Sequence, residues 1–158
     1  MNSKTMKSIR ALRSIHLIDI ENLCGASNPT LEQVVDVKAE YERLVNPGSL
    51  DLFYVTVSSK SNLEAAMFGW PGARVEVLEG HDGADILLAK ELLDNHLSED
   101  FHHIYLGSGD GGLAPFISRE INNGGSVSVI SKPRCLSFQM RRIGAEVRYL
   151  QNDYQLVA

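Results

Sequence analysis

The chain has 158 residues, 44% of them hydrophobic and 22% charged, with a formal net charge of -5, which suits one globular domain with its own core. No apolar run approaches the roughly 20 residues that a membrane-spanning helix needs, and Lys4, Lys7, Arg10 and Arg13 precede no apolar signal-peptide segment. Overall acidity argues against tight non-specific binding to duplex nucleic acid.

Residues 1–14, basic and with little periodicity, read as a flexible lead-in to a single domain over 15–158. Ile15 to Ile20 is a short strand, nearly all apolar and so buried on both faces. It runs into the acidic-amide cluster Asp19-Ile20-Glu21-Asn22. Cys24 to Pro29 is a loop rich in Gly, Ser and Asn. Thr30 with Gln33 makes a capping box, and the apolar stripe from Leu31 to Val45 predicts a helix stopped by Asn46-Pro47-Gly48. Leu50 to Val57 is the second strand, Ser61 opens a short helix through Phe68, and Arg74 to Leu78 alternates as the third strand.

After the loop Glu79 to Gly83, Asp85 stands at the start of a long helix carrying Ile86, Leu87, Ala89, Leu92, Leu93 and Leu97. His103 to Leu106 is the fourth strand, and Gly107-Ser108-Gly109-Asp110-Gly111-Gly112 is a turn before a helix from Leu113 to Ile121. Ser126 to Ile130, a helix from Leu136 to Ile143 and a strand from Glu146 to Leu150 complete the pattern. Strands alternating with helices at this spacing predict a three-layer α/β/α, Rossmann-like fold. Its mainly parallel sheet has an expected order 3-2-1-4-5 with the last strand at an edge.

In such a sheet the ligand crevice lies beyond the C-terminal ends of the strands, where the strand order reverses. Asp19 ends the first strand, Asp110 follows the fourth, and Asp85 opens the helix leading into the fourth, so all three are expected at one crevice. Each also has a structural use. Asp19 can accept loop amides, Asp85 suits the first turn of a helix, and Asp110 can cap the helix that follows it. Together they repel one another unless a cation or proton intervenes. Oxygen ligands without clustered His or Cys favour Mg²⁺ or Mn²⁺, and such an ion suits phosphodiester hydrolysis.

Asn22 is expected to orient a water or phosphate, and Ser108 with the amides from Gly109 onward to hold phosphate oxygens. Lys60, after the second strand, is the expected phosphate contact at the same end of the sheet. Glu21 is expected to point away from Asp19 if strand pairing continues. His81 lies in a loop near the crevice, open to substrate contact or to an ordinary loop role. Lys132, Arg134, Arg141 and Arg142 either track a nucleic-acid backbone or form a solvated face. The charge is unevenly spread: residues 15–113 carry -12 between basic flanks, which fits a metal site with phosphate-binding edges or plain surface charge. Cys24 and Cys135 have neither disulfide-framework nor zinc-ligand spacing. They read as thiols of a reducing cytoplasm.

In order and spacing, Asp19-Ile20-Glu21-Asn22, Gly83-Ala84-Asp85 and Ser108-Gly109-Asp110 resemble the motifs of the NYN domain, a branch of the PIN-like nuclease fold. The layout is particularly similar to that of small actinobacterial members, and the resemblance runs from about Ser14 to Leu150. It implies a metal-dependent ribonuclease. Asp19, Asp85 and Asp110 would hold Mg²⁺ or Mn²⁺, Asn22 and Ser108 would support them, and single-stranded or structured RNA would be the substrate. Many members carry a second Asp where this chain has Gly112. The resemblance therefore also admits an alternative, a weak or inactive module that binds RNA or a protein partner. No membrane partner is expected, and a homo-oligomer remains open.

Overall fold

Short strands made almost wholly of Val, Ile, Leu and aromatic residues leave no polar side for water, so the sheet they form must be covered on both faces. The structure, a computed structural model, describes residues 12–151. The rest of the expected flexible lead-in, residues 1–11, lies outside the described residues, as do 152–158. Its described end, residues 12–14, departs from that expectation. Ser14 already belongs to the first strand, and the Arg13 guanidinium lies 4.6 Å from the centroid of the Phe101 ring.

Six strands form one sheet: β1 Ser14–Asp19, β2 Leu52–Val57, β3 Arg74–Val77, β4 His103–Gly107, β5 Val127–Ser131 and β6 Glu146–Tyr149. Their order is β3-β2-β1-β4-β5-β6 and every neighbouring pair is parallel. This is the expected order, with β6 at the far edge. The order reverses between β1 and β4. The helices are α1 Ile20–Cys24, α2 Leu31–Val45, α3 Leu63–Gly69, α4 Gly83–Asp94, α5 Leu97–Asp100, α6 Ala114–Asn122 and α7 Phe138–Arg141. None of the described helices is long and apolar enough to cross a membrane.

Alternation along β1 divides the core into two. Ile15 and Leu17 pack with Leu88 and Leu92 of α4 and Ile117 of α6. Ile18 faces the other way, onto Val34, Val37 and Tyr41 of α2 and Ala66 of α3. The result is a Rossmann-like three-layer fold with helices on both faces of the sheet.

His16 is fully buried on the α2 face. Its ring is stacked between its two cross-strand partners, 4.2 Å from Phe53 and 4.8 Å from Tyr105. Nδ1 pairs with the Tyr41 hydroxyl at 2.7 Å and Nε2 with Asp51 Oδ2 at 2.8 Å. Both ring nitrogens are therefore satisfied, and burial holds the ring's pKa below its usual value.

Three local expectations are corrected. The chain turns into a helix straight after Asp19 rather than extending the strand through Ile20, because Asp19 caps that helix. The helix opened by Asp85 stops at Asp94 and not at Leu97. Asn95 leaves the helix, its Nδ2 donating to Glu91 O at 3.2 Å, and Leu97 begins the separate α5. The predicted helix from Leu136 to Ile143 is only four residues long. A 3-10 turn over Pro133–Cys135 precedes it, and Ser137, which caps it by accepting from Met140 N, leaves Leu136 extended.

Candidate active site

The reversal between β1 and β4 opens a cleft of about 340 Å³ at the C-terminal ends of the strands. Asp19, Glu21, Asp82, Asp85 and Asp110 line it, with Asn22, Ser58, His81, Arg134 and Cys135. The three expected carboxylates thus arrive on three separate elements.

Asp19 is the last residue of β1 and the N-cap of α1, and its Oδ1 accepts the Asn22 amide at 3.1 Å. The pattern Asp-x-x-Asn is therefore at once a helix cap and a device that aims one carboxylate oxygen into the cleft. Asp85 stands in the first turn of α4. That helix can start so close to the sheet because Gly83 has no side chain: a Cβ there would lie 1.7 Å from Leu78 O. Asp110 caps the 3-10 turn Gly111–Leu113, accepting Gly112 N at 2.7 Å.

Asn22 joins the first and third of these pieces. Its Oδ1 accepts Gly109 N at 2.9 Å, tying the end of β1 to the turn after β4. Gly109 is itself pinned from the other side, where a Cβ would meet Cys135 O at 2.3 Å and the Leu136 Cα at 2.7 Å. Arg134 reaches across the rim and donates to Gly25 O at 3.2 Å.

The electrostatics are those of crowded acids. Burial, and after it the closeness and charge of Asp19 and Asp110, push the Asp85 carboxyl up to about 9. In its ionised form Asp85 Oδ1 is a buried oxygen that no N–H or O–H group reaches. Burial also raises Asp19, to about 6, against the stabilising Asn22 amide and with the help of the Glu21 charge. Crowding of this kind favours a proton or a cation among the three carboxylates. The donor set is all carboxylate, which suits a hard divalent ion in kind and in charge. Among the described residues, no group of three or more His, Cys, Asp or Glu is already arranged to hold a metal ion.

The other expected contacts fare differently. Ser108 is fully buried and its hydroxyl accepts Asp110 N at 3.2 Å, so it shapes the Asp110 turn instead of facing a phosphate. The Gly109 amide is spent on Asn22. Lys60 is exposed, at the same end of the sheet but not in the cleft lining; the cation in that lining is Arg134. Asn22 does line the cleft.

Glu21 corrects the expectation that it points away. Because residue 20 is already helical, Glu21 swings over the end of β2, where its Oε1 accepts the Ser58 amide and hydroxyl, each at 2.6 Å. Its Oε2 is buried without a hydrogen-bond partner and borders the cleft. The capping pattern of Asp19 was the available signal, since a capped helix at 20 reverses the side on which residue 21 emerges. Asp82 was missed too. It is the residue before α4, and nothing but its neighbourhood to Asp85 marks it in the sequence.

No protein-family model matches the chain, and no curated protein does. The fold is similar to the crystal structure of a protein of unknown function from Vibrio parahaemolyticus, with a TM-score of 0.60 and 16% identity. The likeness covers 96% of this chain and 98% of that one, and at such identity it speaks for the fold alone.

Proposed function

We propose that this protein is a Mg²⁺- or Mn²⁺-dependent ribonuclease, a distant NYN-like member of the PIN-like nucleases. One observation carries the reading. Asp19, Asp85 and Asp110 come from three elements to one cleft at the switch point, where burial and mutual charge raise the pKa of Asp85. Such crowding costs stability without a counter-ion, and a cleft at this place in the sheet is where α/β proteins do their chemistry.

Asp19 and Asp110 present the oxygens that their own backbone caps orient. Asp19, Asp85 and Asp110 would hold the ion, Asp85 in its ionised form. Arg134 stands where the charge of a phosphodiester would be met, and the Asn22 side chain holds the β1 and β4 ends at fixed separation. A bound divalent cation would supply a water of lowered pKa and polarise the phosphoryl oxygen.

A second reading, a module that binds RNA or a protein partner without cutting, has its own observation. Gly112 contributes no carboxylate, and its amide occupies Asp110 Oδ1. We further assign the protein to the cytoplasm, on two cysteines that form no disulfide.

Cleavage of end-labelled single-stranded and structured RNA decides between the readings. Wild type is expected to cut with Mn²⁺ or Mg²⁺ and not with EDTA, and Asp19→Asn to cut at least about 100-fold more slowly, as for loss of a charged group at a transition state. Equal products from both proteins would contradict the nuclease reading.

A further inference from the structure

The segment that follows β5 carries Lys132, Arg134, Arg141 and Arg142 and no acidic residue, in a chain of net charge -5. It also carries Phe138, whose ring is 69% exposed, as exposed as any large apolar side chain among the described residues. An exposed phenylalanine is ordinary by itself. This one belongs to a short helix whose neighbours on both flanks touch the turn that bears Asp110.

Ser137 N donates to Gly109 O at 2.9 Å, and the Ser137 hydroxyl caps α7 by accepting Met140 N at 3.1 Å. Leu136 and Met140 are buried, so the short helix is anchored by the two side chains around Phe138. On its other flank Gln139 lies against the turn that bears Asp110: a Cβ on Gly111 would be 2.9 Å from Gln139 Oε1. Cys135, three residues before Phe138, lines the cleft itself, as does Arg134. The backbone that carries Phe138 is thus tied to the same turn as a cleft carboxylate. The Arg142 guanidinium stands 5.3 Å from its centroid, and Arg141 and Arg142 are exposed.

An exposed aromatic ring, basic side chains before and after it, and a backbone link to the acidic cleft are the parts of a single-strand nucleic-acid platform. We propose that Phe138 stacks an unpaired base of single-stranded RNA next to the cleft, with Arg134 and Arg142 meeting the flanking phosphates. The occupant follows from charge. The segment is wholly basic while the cleft beside it is acidic, so a polyanion is drawn to the rim and only the phosphate at a cation enters the cleft. A duplex offers no unstacked base and gains nothing from the ring. The inference rests on the nuclease reading for the identity of the strand.

The test separates the two. Binding of a fluorescein-labelled 12-nucleotide oligouridylate is measured with Mg²⁺ by anisotropy, on an Asp19→Asn background so that cutting is slow against the measurement. Phe138→Ala is expected to raise Kd about tenfold, within the range for loss of one stacked base, and Phe138→Trp to keep it. The tryptophan should also be quenched on binding, with the buried Trp70 as its constant background. In the otherwise wild-type chain Phe138→Ala should raise KM and leave kcat nearly unchanged. Unchanged Kd in Phe138→Ala, or no binding while Phe138 is present, would overturn the platform. Tight, Phe138-dependent binding without any metal-dependent cleavage would support it and sink the nuclease reading alone.

Discussion

At the scale of residues, Asp85 ties the cleft to pH. Its folded pKa of about 9 lies above its ordinary 3.8. Between those values the folded state holds a proton that the unfolded state has lost, so the metal-free protein loses stability as pH rises through that window. His16 acts in the opposite sense. Burial lowers its pKa below 6.5, so the unfolded chain takes up a proton first as pH falls, and stability is lost on the acid side. In thermal melts in EDTA the Asp85 slope should stand above pH 6.5, and below it the His16 slope should offset it. Asp85→Asn should raise the melting temperature in EDTA by clearly more at pH 8 than at pH 5, and abolish cleavage. An equal shift at both pH values would show that the carboxyl is not held protonated. Asn22 has the contrary role. Asn22→Ala leaves Gly109 N without its partner and should cost about 1–3 kcal/mol, the cost of stranding a buried donor. Urea unfolding measures it.

At the scale of elements, the turns carry the site and the strands carry the turns. The segment after β5 closes onto Gly109 with no room for a methyl group. Gly109→Ala should therefore cost about 1–3 kcal/mol of overpacking, and it should impair cleavage beyond the loss of folded protein, which circular dichroism and the RNA assay separate. The sandwich of His16 between Phe53 and Tyr105 pins β1 to both neighbours. His16→Ala would open a cavity and strand both Asp51 and Tyr41. A loss of about 3–5 kcal/mol is expected, by analogy with other large buried side chains. These elements were unequally legible in the sequence. β1 to β5 follow from apolar runs bounded by turn residues, and α2 from its capping box. α1 was hidden because Ile20 continues the apolar run of β1 and Glu21-Asn22 reads as a polar strand end, and only the N-cap chemistry of Asp19 tells helix from strand there. The end of α4 at Asp94 was hidden for the same kind of reason, since Leu97 keeps the apolar spacing while Asn95 and His96 leave the helix.

At the scale of the whole molecule, the alternation of strands and helices made the three-layer architecture and the strand order readable, and with them the place of the cleft. Three Asp residues distant in sequence were readable as neighbours because topology alone puts the ends of β1 and β4 and the start of α4 together. What was not readable was side-chain assignment around them. Ser108 turns inward, Glu21 turns toward the cleft, and Arg134 replaces Lys60 as the lining cation. Each of these depends on backbone direction at a turn, which carries no periodic signal. The fold shared with the Vibrio protein at 16% identity fits this division, since layers survive changes that erase motifs.

The cleft as a cation site is the centre of the account, and calorimetric titration of Mn²⁺ at pH 7 tests it most directly. Run in two buffers of different ionisation enthalpy, the titration counts the protons released. The account predicts saturable binding by wild type with release of about one proton, as the Asp85 carboxyl ionises around the ion, and no such release by Asp85→Asn. Absence of saturable heat at millimolar Mn²⁺, or binding that Asp85→Asn leaves unchanged in affinity and in protons released, would contradict it.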